Sequence, residues 1–291
     1  MRTVTVAAIQ MACVESELEN LNRAEALVRE AAEKGANIIL LPELFESLYF
    51  CKKEKLSYYQ KAKPVHENQA VQRFKSVAAE LGVVLPISFY ERENNALYNS
   101  VAVIDATGVV LGVYRKSHIP DGPGYEEKFY FNPGDTGFKV FSTKWCKIGV
   151  GICWDQWFPE AARIMGLLGA ELLLYPTAIG SEPEAGEVDS MEHWLRCMQG
   201  HAAANIIPVI AANRFGVESE DDVSISFYGC TFMTDAKGQC IKQLSRHGEA
   251  ILLNTYDLEA IDLQRLDWGV YRDRRPDLYG RLMTSDGNLI K

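Results

Sequence analysis

The stretch Gly35-Ala-Asn-Ile-Ile-Leu-Leu-Pro-Glu43 decides the fold, because it recurs without gaps 134 residues later as Gly169-Ala-Glu-Leu-Leu-Leu-Tyr-Pro-Thr177. A second echo follows in the same order, where Asp105-Ala-Thr-Gly108 reappears as Asp235-Ala-Lys-Gly238. Two echoes with similar offsets indicate an internal duplication of about 130 residues.

Apolar runs around both copies predict alternating strands and helices. The first half has strand patterns at 4–9, 37–41, 83–89, 100–104 and 109–114, and helix patterns at 18–31 and 71–81. In the second half a strand ends at Cys153, a helix closes at Gly169, and a strand over 171–175 stops at Pro176. Two mixed sheets that each carry helices on one face pack best as a duplicated α/β fold, a four-layer α-β-β-α sandwich. We expect a single domain over 1–291, with a C-terminal extension from about 258 that could embrace a partner subunit.

Composition excludes several classes of protein. The chain has 291 residues, 47% of them hydrophobic and 24% charged, which is typical of a globular protein. Its net charge of −9 disfavours a nucleic-acid partner and is compatible with a cationic substrate. The seven cysteines contain no CxxC pair, so neither a disulfide scaffold nor a cysteine zinc site is predicted. The sequence shows neither a signal peptide nor an apolar run of 18 residues, so we expect a cytoplasmic protein without a membrane partner.

Polar residues at three strand ends suggest a reaction. Glu43 follows the strand over 37–41, Lys116 follows the strand over 109–114, and Cys153 lies in Gly149-Val-Gly-Ile-Cys-Trp-Asp-Gln-Trp-Phe-Pro-Glu160. Open α/β sheets place their chemistry at such ends. A thiolate can serve as nucleophile, a carboxylate can take its proton, and an ammonium can stabilise the oxyanion. Taken singly, Glu43 could instead cap a helix, Lys116 could be a solvated charge, and Cys153 could be an inert buried thiol.

Three phrases together resemble the nitrilase (carbon-nitrogen hydrolase) superfamily: LLPELF at 40–45, YRKSHIP at 114–120 and GVGICWDQWFPE at 149–160. The resemblance extends from about Val4 to Tyr279 and implies the same duplicated sandwich. It also implies that Cys153 is the nucleophile, Glu43 the general base and Lys116 the oxyanion stabiliser or acid. The amide N–H of Trp154 would be the second oxyanion donor. No metal or organic cofactor is implied.

A fourth position of this family, also a carboxylate, matches Glu127, in Tyr125-Glu-Glu-Lys-Phe-Tyr-Phe-Asn-Pro-Gly-Asp135. It would orient Lys116 and the substrate amine. Glu126 is its neighbour and competes for the same role.

The surrounding loops indicate the substrate. Family members that hydrolyse N-carbamoyl amino acids tend to carry arginines where this chain has Gln156 and Trp157. The loop over 178–189 holds four carboxylates, at 182, 184, 187 and 189, and no basic residue. With HWLRCMQGHAAAN at 193–205, it resembles the branch that acts on N-carbamoylputrescine. There Glu182 would bind the distal ammonium, and Tyr49 is a candidate to line the same pocket. The loop could alternatively be an exposed acidic segment or a helix start.

The expected reaction converts N-carbamoylputrescine and water to putrescine, carbon dioxide and ammonia, a step of polyamine biosynthesis. The family also implies a homo-oligomer built from dimers.

Three alternatives remain open. A β-ureidopropionase-like or ω-amidase-like enzyme would bind a substrate carboxylate through Arg163 or Arg214. A Cys-His hydrolase would use one of the histidines at 118, 193 and 201, of which His193 and His201 could also suggest a metal. A catalytically silent interaction module would not require the triad.

Overall fold

The chain alternates strands and helices through both halves. The computed structural model describes residues 2–183 and 188–288. The strands are β1 (Thr3–Gln10), β2 (Ile38–Leu40), β3 (Leu85–Glu93), β4 (Ala96–Ile104), β5 (Val110–Arg115), β6 (Val140–Ser142), β7 (Lys147–Val150), β8 (Leu172–Thr177), β9 (Val209–Asn213), β10 (Phe215–Glu220), β11 (Val223–Tyr228), β12 (Phe232–Thr234), β13 (Cys240–Gln243) and β14 (Ala250–Asp257). The helices are α1 (Glu17–Glu33), α2 (Gln69–Leu81), α3 (Glu127–Tyr130), α4 (Pro159–Leu167), α5 (Met191–Asn205) and α6 (Leu258–Trp268).

Two six-stranded sheets have the same pattern of strand directions. The first runs β14-β1-β2-β3-β4-β5, with β2 and β3 joined by the parallel bridge between Ile38 and Val84. The second runs β6-β7-β8-β9-β12-β13. In these orders the neighbours of both sheets are antiparallel, parallel, parallel, antiparallel and antiparallel. Helices α1 and α2 make the crossovers of the first sheet, and α4 and α5 make those of the second. The predicted duplication is confirmed.

The repeated phrases form equivalent turns. Gly35 and Gly169 end the first helix of each half with the same left-handed φ of 89°. Gly108 and Gly238 close the two Asp-Ala-x-Gly turns, again with positive φ. A Cβ at Gly108 would lie 2.6 Å from a carbonyl oxygen of α2, and one at Gly238 would lie 2.5 Å from a carbonyl oxygen of α5. Each turn therefore requires glycine for its conformation and for its close packing on the helix.

The two sheets face each other and the long crossover helices lie outside. Alternate residues of β2 separate the layers: Ile38 and Leu40 belong to the core between the sheets, whereas Ile39 packs under α1 and α2. The same alternation in β8 puts Leu172 and Leu174 in the central core and Leu173 under α4 and α5. The α-β-β-α sandwich predicted from the sequence is confirmed.

Several predicted strand boundaries were wrong: β3 runs on to Glu93, β4 begins at Ala96, and two further differences lie near the strand ends of the second half. Strand β8 continues through Pro176 to Thr177, because the missing N–H of Pro176 points toward β7, and β7 pairs with β8 only as far as Leu174. Strand β7 ends at Val150, and Cys153 instead begins a 3₁₀ helix over Cys153–Trp157. The nucleophile candidate therefore lies in a turn just beyond the sheet.

The C-terminal extension begins with α6, whose first residue, Leu258, is buried and donates its N–H to Arg2. Beyond it the helix exposes Leu263, Leu266 and Trp268, each by more than 60%. Within the described part of the chain, no helix is both long enough and apolar enough to cross a membrane.

Candidate active site

The strand ends of the first sheet bring a lysine between two carboxylates. Lys116 directly follows β5, and its Nζ lies 2.9 Å from Glu43 Oε1 and 2.6 Å from Glu127 Oε2. All three side chains are buried. Burial acts to lower the pKa of Lys116, but the charges of Glu127 and Glu43 outweigh it and raise that pKa well above its usual value. The lysine is therefore a fixed positive charge in the site.

Glu43 has one engaged oxygen and one free oxygen. Its Oε1 accepts hydrogen bonds from Lys116 Nζ and, at 2.7 Å, from Asn99 Nδ2 on β4. Its Oε2 is buried and has no hydrogen-bond partner among the described residues. A buried carboxylate oxygen without a donor is well suited to accept a proton. The contacts thus orient Glu43 as a base with Oε2 as its acceptor atom.

Glu127 is the carboxylate that meets Lys116, as the sequence predicted. Its Oε2 contacts Lys116, and its Oε1 accepts a hydrogen bond of 2.7 Å from the Tyr49 hydroxyl. Burial raises the pKa of Glu127 to about 7, against the opposing effect of Lys116. Glu126, its predicted competitor, is only partly buried.

The structure gives Tyr49 a different place from the one predicted. We expected its ring to line the substrate pocket, but it is fully buried behind Glu127 and is not among the residues that line the cavity. The loop after Glu43 turns the ring inward, where its hydroxyl reaches the carboxylate. Its hydroxyl contacts Glu127, but Tyr49 itself does not line the cavity.

Cys153 lies in a constrained turn that Asp155 holds. The φ of Cys153 is +39°, a conformation that residues with a side chain rarely adopt. Asp155 Oδ2 accepts the N–H of Ile152 at 2.9 Å and the hydroxyl of Tyr114 at 2.7 Å, while Oδ1 accepts the N–H of His118 at 3.0 Å. Asp155 therefore fixes the turn that presents the thiol.

The thiol is neutral at rest. Burial and the negative charge of Glu43 raise the pKa of Cys153 well above its usual value, and Lys116 offsets this only in part. Lys116 favours the thiolate, but its effect is smaller than those of burial and Glu43. A thiolate at Cys153 would therefore need a base to take its proton, and Glu43 is the carboxylate whose charge acts most strongly on the thiol.

A cavity of about 320 Å³ opens above this group. Cys153 and Glu127 lie among its lining residues, together with the aromatic rings of Tyr125, Trp154 and Trp157. Asp121 and Glu182 add carboxylates, and the described lining residues include no lysine or arginine. The electrostatic field of the cavity thus favours a cation. Trp154 also stands in the first turn of the 3₁₀ helix, where backbone N–H groups lack helical partners.

Neighbouring contacts fix the position of Glu182. Ser181 donates its N–H to Ser226 at 2.9 Å and accepts the Tyr125 hydroxyl at 3.2 Å, which itself accepts the N–H of Gly180 at 3.0 Å. Glu182 is half-buried, and this burial raises its pKa. Of the other predicted acidic residues, Glu184 and Glu187 lie outside the described residues. Asp189 does not line the cavity and pairs with Arg246.

The basic residues proposed for a substrate carboxylate lie elsewhere. Arg214 is buried against backbone carbonyls at Glu43 and Leu44. Arg163 donates to the carbonyl of Ala204 and lines a different cavity. The alternative that depends on them is therefore not supported by the geometry.

The histidines hold structure around the nucleophile turn. His118 stacks on Phe158 at 3.6 Å and bonds Asp155, and His201 Nε2 contacts the carbonyl oxygen of Gln156 at 2.6 Å. His193 lines the cavity and packs against Trp157. None of these contacts joins a histidine to Cys153. No cluster of metal-binding side chains occurs within 2–183 and 188–288.

The comparisons with known proteins agree with this geometry. A family model for carbon-nitrogen hydrolases matches residues 5–265. The chain belongs to the carbon-nitrogen hydrolase family. This carbon-nitrogen hydrolase is 58% identical over 288 residues to the N-carbamoylputrescine amidase of Oryza sativa subsp. japonica, covering 98% of this chain and 96% of the relative. It is 53% identical to the citrullinase of Francisella tularensis subsp. tularensis, covering 97% of this chain and 99% of the relative.

A solved carbon-nitrogen hydrolase from Helicobacter pylori G27 has the same fold, with a TM-score of 0.92 at 37% identity and coverage of 98% of this chain and 99% of that one. The resemblance identified in the sequence is confirmed. The protein is an enzyme whose chemistry is the hydrolysis of carbon–nitrogen bonds in amides.

Sequence reasoning missed the residues that position the group. Asn99 carries no signal of its own within the strand pattern of β4. Asp155 stands two residues after Cys153 and three after Ile152, the residue that caps the turn. A carboxylate at the second of these spacings can accept the N–H of the capping residue, so the sequence did contain this clue.

Proposed function

We propose that this carbon-nitrogen hydrolase converts N-carbamoylputrescine to putrescine, carbon dioxide and ammonia, a step of polyamine biosynthesis. The observation that carries the proposal is the cavity at Cys153, which is lined by Glu182 and aromatic rings and has no lysine or arginine among its described lining residues. A ureido group at the thiol and an ammonium at Glu182 suit that arrangement. Several relatives named N-carbamoylputrescine amidase support it.

The first half-reaction forms a covalent intermediate. Glu43 Oε2 accepts the Sγ proton of Cys153 while the sulfur attacks the ureido carbon. The oxygen that becomes negative is stabilised by Lys116 Nζ and the N–H of Trp154. The tetrahedral adduct then expels the terminal nitrogen, which leaves as ammonia with the proton returned by Glu43. The product is a carbamoyl group on sulfur that still carries the butylamine chain.

Water completes the reaction. Glu43 takes a proton from a water molecule, whose oxygen attacks the carbamoyl carbon, and the thiol leaves with that proton. The released carbamic acid loses carbon dioxide and yields putrescine. Glu127 stays bonded to Lys116 through both steps and keeps the lysine in place, and the distal ammonium remains at Glu182.

A second candidate is hydrolysis of citrulline, which the identity with the Francisella citrullinase favours. Citrulline carries a ureido group and an ammonium, but it also carries a carboxylate beside that ammonium. The carboxylate would meet Asp121 and Glu182 in this cavity without a lysine or arginine among the described lining residues. This electrostatic cost makes N-carbamoylputrescine the better substrate.

The experiment is ammonia release from N-carbamoylputrescine, citrulline and N-carbamoyl-β-alanine, side by side, with Cys153→Ala as the control. We expect a clear preference in kcat/KM for N-carbamoylputrescine and loss of turnover in the folded variant. Preference for citrulline would support the second candidate. Preference for N-carbamoyl-β-alanine would refute the cation site, and turnover by Cys153→Ala would refute the covalent mechanism.

We further propose that the enzyme is a single cooperative domain that works in the cytoplasm as a homo-oligomer built from dimers. The core shared by both sheets supports one domain, and the seven free cysteines suit a reducing compartment. Exposed apolar side chains on α6 and at Leu278, Leu282 and Met283 support an interface. Sedimentation equilibrium tests the assembly, and a monomer at micromolar concentration would contradict it.

A further inference from the structure

A buried arginine reaches the backbone that carries the general base. Arg214 directly follows β9 and is fully buried. Its Nη2 donates to the carbonyl oxygen of Glu43 at 2.7 Å and to that of Leu44 at 3.0 Å, and its Nη1 donates to that of Ser47 at 3.3 Å. One guanidinium thus contacts three carbonyl groups of residues 43–47. None of these contacts belongs to the substrate cavity.

Glu218 of β10 pairs with this arginine and extends the contact. Its Oε1 accepts from Arg214 Nη1 at 2.7 Å, and its Oε2 accepts the backbone N–H of Tyr49 at 2.6 Å. Lys52 Nζ lies 3.5 Å from the same Oε2 and donates to the carbonyl oxygen of Tyr49. The Arg214–Glu218 pair therefore holds the segment from both ends: Glu43 at its start and Tyr49 at its end.

The segment between those ends has a conformation that needs support. Leu44 has a φ of +48°, which is unfavourable for a residue with a β-carbon. Its N–H donates to Ser88 Oγ at 3.0 Å, and its carbonyl oxygen accepts from Arg214. Such a conformation persists only where the surroundings fix it, and it tends to occur at active sites.

We propose that the Arg214–Glu218 pair is a positioning device for both carboxylates of the active site. Through the backbone of Glu43 it sets the direction of the base, and through Tyr49, whose hydroxyl bonds Glu127, it sets the carboxylate that holds Lys116. The proposal rests on the assignment of Glu43 as the base. A guanidinium suits the role because its planar donors can contact neighbouring carbonyl groups at once, which the single ammonium of lysine cannot reproduce.

The test compares Arg214→Lys and Glu218→Gln with the matched control Arg29→Lys, whose arginine pairs with Glu25 and Glu80 between α1 and α2, far from the site. Three quantities are measured: kcat and KM for N-carbamoylputrescine, the rate of Cys153 alkylation by iodoacetamide, and the melting temperature. Alkylation requires loss of the thiol proton and no substrate, so it reports on the charged groups around Cys153 independently of substrate binding.

We expect both pair variants to lose about 10²-fold in kcat, as small misplacements of catalytic groups do, with KM changed less than threefold and alkylation slowed. Arg29→Lys should leave all three quantities near wild type. Wild-type kcat and alkylation in a folded pair variant would overturn the proposal, because the pair would then serve stability alone.

A gentler variant of the pair itself decides the matter if the first two variants do not fold. Glu218→Asp keeps the negative charge beside Arg214 but shortens the reach to the N–H of Tyr49, and we expect kcat to fall about tenfold at unchanged KM. An unchanged kcat in the folded Glu218→Asp variant would overturn the proposal, since the contacts of Glu218 would then not position the carboxylates. Failure of the proposed function has a different signature: wild-type enzyme would not release ammonia from N-carbamoylputrescine, while the alkylation rates would still test the pair.

Discussion

Replacing Glu182 by glutamine tests the cation site at its most specific point. The change keeps the shape of the side chain and one hydrogen-bond acceptor, and removes only the negative charge. Because Glu182 is half-buried and lines the cavity, the charge acts on the substrate through both protein and solvent. We therefore expect weaker binding of a substrate that ends in an ammonium.

The magnitude follows from the exposure of the pair. Two unit charges about 4 Å apart interact by about 4 kcal/mol at an effective dielectric constant of roughly 20. Solvent reaches Glu182, so this is an upper value, and hydrogen bonds to charged groups contribute about 1.5–3 kcal/mol. A loss of about 2 kcal/mol corresponds to a rise of about thirtyfold in KM.

The assay is steady-state ammonia release with two substrates, N-carbamoylputrescine and n-pentylurea, in which a methyl group replaces the ammonium. For Glu182→Gln we expect the KM of N-carbamoylputrescine to rise about thirtyfold and that of n-pentylurea to change less than threefold. Asp121→Asn is the matched control, since Asp121 lines the same cavity but is exposed. We expect it to change either KM less than threefold.

Equal effects of Glu182→Gln on both substrates would refute the reasoning, because a lost charge cannot act on a neutral chain. A larger effect from Asp121→Asn would place the ammonium at the other carboxylate of the cavity.

Three further predictions concern the base, the pH profile and the duplication. Asn99→Leu removes the side chain that donates a 2.7 Å hydrogen bond to Glu43. We expect kcat, measured by ammonia release, to fall at least about tenfold with little change in KM. An unchanged kcat would contradict the role of Asn99 in orienting Glu43. The pKa of Glu127 is raised to about 7, so below that pH its carboxyl takes up a proton and its ion pair with Lys116 weakens. We therefore expect kcat/KM to fall on the acid side of about pH 7. A pH profile that stays flat to pH 5 would count against this role of Glu127. Gly108→Ala and Gly238→Ala should each lower the free energy of unfolding in urea by about 2 kcal/mol or more. Gly35→Ala should lower it by about 1 kcal/mol, because Gly35 has a similar left-handed φ but open space around it. Equal losses would show that the helix contacts do not matter.

The sequence predicted most of the fold because the duplication presents the same strand and turn patterns twice. The two copies of the Gly-Ala-x-x-x-x-x-Pro phrase indicated equivalent strands, and the structure gives them equivalent neighbours. The boundaries at Pro176 and Cys153 were wrong for a physical reason. Whether a proline ends a strand depends on which neighbour its missing N–H faces, and that is decided by pairing across the sheet.

The sequence could predict where the candidate catalytic side chains lie, but not which residues orient them. Glu43, Lys116 and Cys153 follow strands, so sheet geometry brings them together. Asn99 contacts Glu43 through its side-chain amide across 56 residues of chain, and Arg214 contacts Glu43 through its guanidinium across 171 residues. Tyr49 was misplaced because its hydroxyl contacts Glu127, 78 residues later in the chain, and no local sequence pattern reveals such a contact.

The pairing of β14 with β1 also governs when the protein can fold. Thr5 faces Thr255 across this pair, 250 residues later, whereas the equivalent edge of the second sheet joins β6 to β7 within one short hairpin. At a ribosomal rate of about 5–20 residues per second, the edge of β1 stays unpaired for roughly 10–50 seconds after it is made. A newborn chain therefore carries an open apolar edge that invites aggregation, and a fragment ending before Ala250 would keep it permanently. In a circular permutant that places β14 directly ahead of β1, both sheets could form in the order in which their strands are synthesised.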